Sequence, residues 1–109
     1  MSDAVLILTN LPDAPSAQAL ARQLVERKLA ACVNILPAVQ AVYRWQGVIE
    51  REREVLLLAK TIRARFDELE REVRALHSYK TPEIVALPVA AGSERYLKWL
   101  GEETKSEKV

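Results

Sequence analysis

The amino-acid sequence predicts an α+β domain of the split-βαβ kind: strand, helix, strand, strand, helix, strand, with one further helix appended. Three observations carry this expectation. Four runs rich in apolar and β-branched residues ("AVLILT", "ACVNILPAVQAVYRW", "VIEREREVLLLAKT" and "EIVALPVA") read as strands. Two stretches of helical periodicity fall between the first and second runs and between the third and fourth. Gln46 and Gly47 form a tight turn between the second and third, so those two strands make a hairpin.

Each element has a local reason. The first run is short, branched and closed by the turn-forming cluster at 10–15, as a buried central strand should be. Ala17, Leu20, Ala21, Leu24 and Val25 then recur at helical spacing, with Arg22, Gln23, Glu26 and Arg27 between them. Asp13 is placed as the N-cap of this helix, and Pro15 sits in its first turn, where a missing N–H costs little. Pro37 interrupts the second strand and predicts a bulge or break there. A two-residue loop at Gln46 and Gly47 sets Trp45 opposite Val48, Tyr43 opposite Glu50 and Ala41 opposite Glu52. Period two then puts Glu50, Glu52 and Glu54 on one face, read as a charged stripe that keeps a protruding edge soluble.

Thr61 is placed as the cap of a second helix with Phe66, Leu69, Val73 and Leu76 as its apolar stripe. Asp67 with Arg71 and Glu70 with Arg74 form i, i+4 pairs on its outer side. The helix should stop near His77, because Pro82 disfavours helical geometry just before itself. Ser93 caps the final "ERYLKWLGEE" helix, whose apolar patch is Tyr96, Leu97, Trp99 and Leu100. Residues 102–109 are expected to form a mobile tail without apolar support.

This order is the ferredoxin-like βαββαβ arrangement, with both helices on one face of a four-stranded antiparallel sheet. "VLIL", "VLLLA" and "IVALPV" carry apolar residues at successive positions, so both faces of the sheet should be buried. One helical layer covers one face only. A second subunit, or the final helix, should cover the other.

The 109 residues, half of them apolar, are read as a single domain over 1–109. Sixteen basic against fifteen acidic side chains leave a formal charge of +1, too weak a field for nucleic-acid binding. The strand order also matches RNA-recognition modules, but no RNP-like alternation of Gly with Phe or Tyr is present. The single Cys32 forms no internal disulfide and no paired zinc spacing exists, which fits a reducing compartment. With no basic N-terminal leader and no stretch of membrane-spanning length, a cytoplasmic location and no membrane partner are expected.

His77, the only histidine, is either a helix C-terminal residue or a ligand. Cys32 is either a small buried hydrophobe or its partner, since thiolate and imidazole together suit copper or zinc. The two could also pair as nucleophile and base, but no glycine-rich nucleophile elbow and no third orienting group accompany them, so no catalytic residue is assigned. Lys60, Tyr79, Lys80, Glu83 and Trp99 stand near element ends, where they either decorate the surface or line a cleft between subunits.

In order along the chain, "LAACVNI", "YRWQGVIE", "EVLLLAKT", "HSYKTPEIVALPV" and "YLKWL" together resemble the CutA divalent-cation tolerance family, over residues 5–100. The resemblance implies a non-enzymatic ferredoxin-like subunit in a tight homotrimer, with long strands pairing across subunits. It also implies a link to copper and other divalent cations, without an obligatory cofactor. The thiol and imidazole matching Cys32 and His77 are implied as metal ligands. Ser78 stands where the family usually has proline after this histidine, which leaves the backbone at the ring freer. Two other readings stay open: a signalling trimer taking a small metabolite or anion in inter-subunit clefts, and a highly stable trimeric scaffold.

Overall fold

The computed structural model describes residues 3–106. Its elements are β1 (Ala4–Leu11), α1 (Ala14–Glu26), β2 (Cys32–Trp45), β3 (Val48–Ile62), α2 (Phe66–Leu76), β4 (Val85–Pro88) and α3 (Glu94–Glu103). The four strands form one antiparallel sheet in the order β2-β3-β1-β4. This is the expected α+β arrangement.

The sheet's register explains its core. Ile7 lies opposite Ala59, Thr9 opposite Leu57 and Leu11 opposite Val55, so these alternate residues share one face. Against it pack Ala17, Leu20 and Leu24 of α1 and Leu69 and Val73 of α2, all buried. Asp13 caps α1 as expected, its Oδ1 accepting the Ser16 N–H at 2.8 Å. Val25 and Leu76, counted in the apolar stripes, are instead exposed. Each lies in the last turn of its helix.

The opposite face carries Leu6 and Leu8 of β1, Leu56 and Leu58 of β3, and Val85 and Leu87 of β4. Val85 and Leu87 remain 47% and 48% exposed. α3 packs against β3 and β1, and the Lys60 ammonium lies 5.8 Å from the Tyr96 ring centroid. The final helix therefore shields the Lys60 end of this face and leaves β4 bare.

Pro37 marks a bulge, as expected. Leu36 pairs with Leu56 and Val39 with Glu54, so Pro37 and Ala38 together oppose Val55. Ala38 takes the left-handed φ of +60° to accommodate the extra residue. At the hairpin, Gln46 and Gly47 have φ of 50° and 82°, the mirror-image turn that suits twisted strands. All three expected pairs, Trp45 with Val48, Tyr43 with Glu50 and Ala41 with Glu52, form. Since β1 ends opposite Val55, the β2–β3 ribbon runs on beyond the sheet and lengthens the molecule to 45 Å.

Four boundaries differ from expectation. Thr61 does not cap a helix: it stays in β3 opposite Val5, fully buried, and a 3₁₀ turn at Arg63–Arg65 leads into α2. β1 runs on to Leu11, taking in Asn10. β4 is short, its pairing with β1 covering only Val5 to Leu8. At the C-terminus α3 spans the whole expected "ERYLKWLGEE" helix, Glu102 and Glu103 included, and the tail departs from expectation at Thr104, which is buried with its hydroxyl donating to Leu100 O at 2.8 Å. The fold thus reaches through Thr104; residues 107–109 of the expected tail lie outside the described residues.

Candidate functional site

α2 ends where it was expected to. The His77 backbone turns extended at φ −84°, ψ 137°, while its N–H still donates to Val73 O at 2.8 Å. The imidazole is buried, 8% exposed, and rests on the edge of β1. Because β4 pairs no further than Leu8, the edge of β1 at Asn10 lacks a neighbouring strand. His77 Nε2 lies 2.5 Å from Asn10 O, and the Tyr79 backbone N–H donates to Nδ1 at 3.0 Å. A backbone N–H only donates, so Nδ1 accepts, and the proton on Nε2 is what meets the Asn10 carbonyl. Both ring nitrogens are thereby used.

That clamp places the next aromatic. The His77 and Tyr79 rings lie 4.7 Å apart at centroid, tilted by 43°, and the Tyr79 hydroxyl donates to Glu54 Oε2 at 2.9 Å. Asn10 Nδ2 donates to Glu54 Oε1 at 3.2 Å. Glu54 is only 7% exposed, and these two donors are what let a carboxylate stay buried there. Burial, followed by the Glu54 hydrogen bond and charge, pushes the Tyr79 phenol well above its ordinary value. Tyr43 is raised too, first by desolvation and then by the Glu52 carboxylate beside it.

Between the β2–β3 ribbon and the loop after His77 lies an open cleft of ≈ 900 Å³. Tyr43, Trp45, Glu50, Glu52 and Glu54 line the ribbon side; Ser78, Tyr79, Lys80 and Glu83 line the loop side. Of the expected cleft residues, Tyr79, Lys80 and Glu83 therefore come together. Lys60 and Trp99 do not join them: Lys60 sits over Tyr96, whose ring lies 5.5 Å from that of Trp99.

Cys32 is half-buried at the start of β2, opposite Lys60, which in turn pairs with Leu6. Asn10, beneath His77, is four residues further along β1, about 13 Å at the rise of a strand. The chain by itself therefore does not bring Cys32 and His77 to a common ion. Among the described residues, no group of three or more His, Cys, Asp or Glu side chains is arranged to hold a metal.

Sequence reasoning missed Asn10, whose side chain and carbonyl both serve the site, because it stood in a turn-forming cluster. Glu54 was placed on the right face but treated as surface charge. The signal available was its position, last in the charged stripe and next to the "VLLLA" run that enters the core.

A family model described as "CutA1 divalent ion tolerance protein" matches residues 5–103. A divalent-cation tolerance protein CutA of Thermus thermophilus is 48% identical over 99 residues, 91% of this chain and 96% of that protein. The chloroplastic protein CutA of Arabidopsis thaliana is 38% identical over 102 residues, 94% of this chain, but the chain spans only 56% of that longer protein. Among solved structures, the Thermus thermophilus divalent cation tolerance protein superposes with a TM-score of 0.92 at 47% identity, covering 94% of this chain and 99% of that one. With the family match running from β1 to the end of α3 and a solved relative superposing over nearly the whole chain, this chain belongs to the CutA1 divalent ion tolerance family.

Proposed function

We propose that the protein is a cytoplasmic, non-enzymatic homotrimer that binds a divalent, copper-type cation through residues of more than one subunit. Membership of a family described by divalent-ion tolerance supports the cation, and the family's description names no reaction. The observation that carries the assembly is the bare second face of the sheet, where Val85 and Leu87 lie beside half-covered Leu6 and Leu8. An apolar surface of this kind, next to a ribbon that overruns its own sheet, suits a neighbouring copy. No helix among the described residues is long and apolar enough to cross a membrane.

Cys32 and His77 carry the donor types that suit copper, thiolate and imidazole. Because one subunit holds them apart, the reading pairs Cys32 of one copy with His77 of another. His77 has no spare nitrogen: coordination through Nε2 sends the ring proton to Nδ1, so it gives up both the bond to Asn10 O and the one accepted from the Tyr79 N–H. The alternative of a small anion in the cleft is less well supported, since carboxylates dominate its lining.

Calorimetry with Cu²⁺ on the tag-free protein tests the proposal. Saturable binding that weakens at least tenfold in both Cys32→Ser and His77→Ala is expected. Identical isotherms for all three proteins would remove these ligands, and light scattering at the mass of a monomer would remove the trimer.

A further inference from the structure

Both nitrogens of the buried His77 ring are committed, Nε2 to Asn10 O at 2.5 Å and Nδ1 to the Tyr79 N–H at 3.0 Å. A metal takes a lone pair, and the ring in this position has none to spare. Two routes expose one. Offering Nε2 sends the ring proton to Nδ1, which then meets the Tyr79 N–H donor to donor. Offering Nδ1 displaces that N–H directly, while Nε2 keeps Asn10 O. By either route the bond from Tyr79 is given up.

The loop is built so that this bond matters. Among the described residues, the stretch 78–83 makes no backbone–backbone hydrogen bond and no ion pair. What ties it to the rest of the chain between the end of α2 and Ile84, which packs on the core, is Tyr79. Its N–H goes to His77, its ring lies 4.7 Å from the imidazole, and its hydroxyl donates to Glu54 Oε2 at 2.9 Å. A segment fastened at one interior residue opens locally at a small cost in free energy, without unfolding its neighbours.

We infer that the loop at 77–83 is a latch on the cation ligand. While the Tyr79 N–H holds Nδ1, His77 is closed to metal; when His77 takes a cation, Tyr79 is released from the ring and from Glu54. This rests on the reading of His77 as a cation ligand and adds its regulation. Linkage makes the coupling reciprocal: weakening the Tyr79–Glu54 end enlarges the open fraction of the loop, and the apparent affinity for the cation rises with that fraction. Tyr79 is a positioning residue here and acts through His77.

The test uses the tag-free full chain and Cu²⁺ alone. By calorimetry, Tyr79→Phe should bind Cu²⁺ about fivefold more tightly than wild type, or better, whereas Tyr43→Phe, on the facing wall of the cleft, should leave the affinity unchanged. A variant that had merely lost structure around the ligand would bind more weakly. Hydrogen exchange read by mass spectrometry asks the same of the wild type: at saturating Cu²⁺ the peptide spanning 77–84 should exchange several-fold faster, while peptides of α1 keep their protection. A cation docking on the closed loop would slow that exchange instead. Slower or unchanged exchange at saturation, or a Tyr79→Phe affinity at or below that of wild type, overturns the latch, and the cation reading stands if His77→Ala abolishes the heat. Binding undiminished in His77→Ala, or no saturable heat in wild type and Tyr79→Phe alike, overturns both.

Discussion

The hydroxyl of Tyr79 donates to Glu54 Oε2 at 2.9 Å, tying the loop after α2 to β3 where the ribbon leaves the sheet. Glu54 is buried, and its other oxygen is held by Asn10. Tyr79→Phe keeps the ring and removes the donor. A hydrogen bond to a charged group is worth about 1.5–3 kcal/mol, so a loss of about 2 kcal/mol is expected, read as a lower urea midpoint at fixed protein concentration.

The same contact sets an alkaline limit. The Tyr79 phenol is raised in the folded protein by burial and by Glu54, so the folded state holds its proton more tightly than the unfolded chain does. The stabilisation is complete below the ordinary tyrosine range near 10 and is lost as pH rises above it. Absorbance titration of phenolate should show one tyrosine that ionises late, together with unfolding, and the late step should be absent in Tyr79→Phe.

His77→Ala leaves the Asn10 carbonyl and the Tyr79 N–H without the ring between them. Loss of about 1–3 kcal/mol is expected from the unmade bonds. Hydrogen exchange localises it: the Tyr79 amide should exchange faster in the variant, while amides in α1 should keep their protection.

Leu87→Glu places a charge on the bare face of the sheet without touching the buried layer beneath the helices. A monomeric sedimentation coefficient at micromolar concentration is expected, with far-ultraviolet dichroism retained. A variant that sediments as the wild type would place the contact elsewhere.

Two backbone positions give opposite signs. Ala38 holds φ +60° in the bulge, and Ala38→Gly removes the steric strain of that region, an expected gain of up to about 1 kcal/mol. Gly47 holds φ +82° with open space around it, so Gly47→Ala meets no neighbour and costs only backbone strain, about 1–2 kcal/mol. Thermal melts of the two variants against wild type, at one protein concentration, check both.

Much of the fold was legible because local rules and global packing agree. Asp13, Pro37, the Gln46–Gly47 turn, His77 and Ser93 each mark an end, a break or a reversal by the chemistry of one or two residues, and the structure uses each of them in that way. Thr61 shows the limit. As a hydroxyl before a helical pattern it reads as a cap, yet pairing with Val5 continues through it, because an adjacent strand offers a full ladder where a cap offers one bond.

The candidate site divides along the same line. The sequence by itself determined the strand and helix order, the hairpin register and hence the common face of Glu50, Glu52 and Glu54, since periods of 2 and 3.6 residues and turn chemistry act over short spans. Only the tertiary structure decided that β4 stops short of Asn10, that His77 fills the vacated edge, and that Tyr79 thereby reaches Glu54. It also decided that Cys32 and His77 stay apart within the chain. These relations join residues tens of positions apart along the chain, and they follow from where strands end and which edges remain unpaired, which no local pattern encodes.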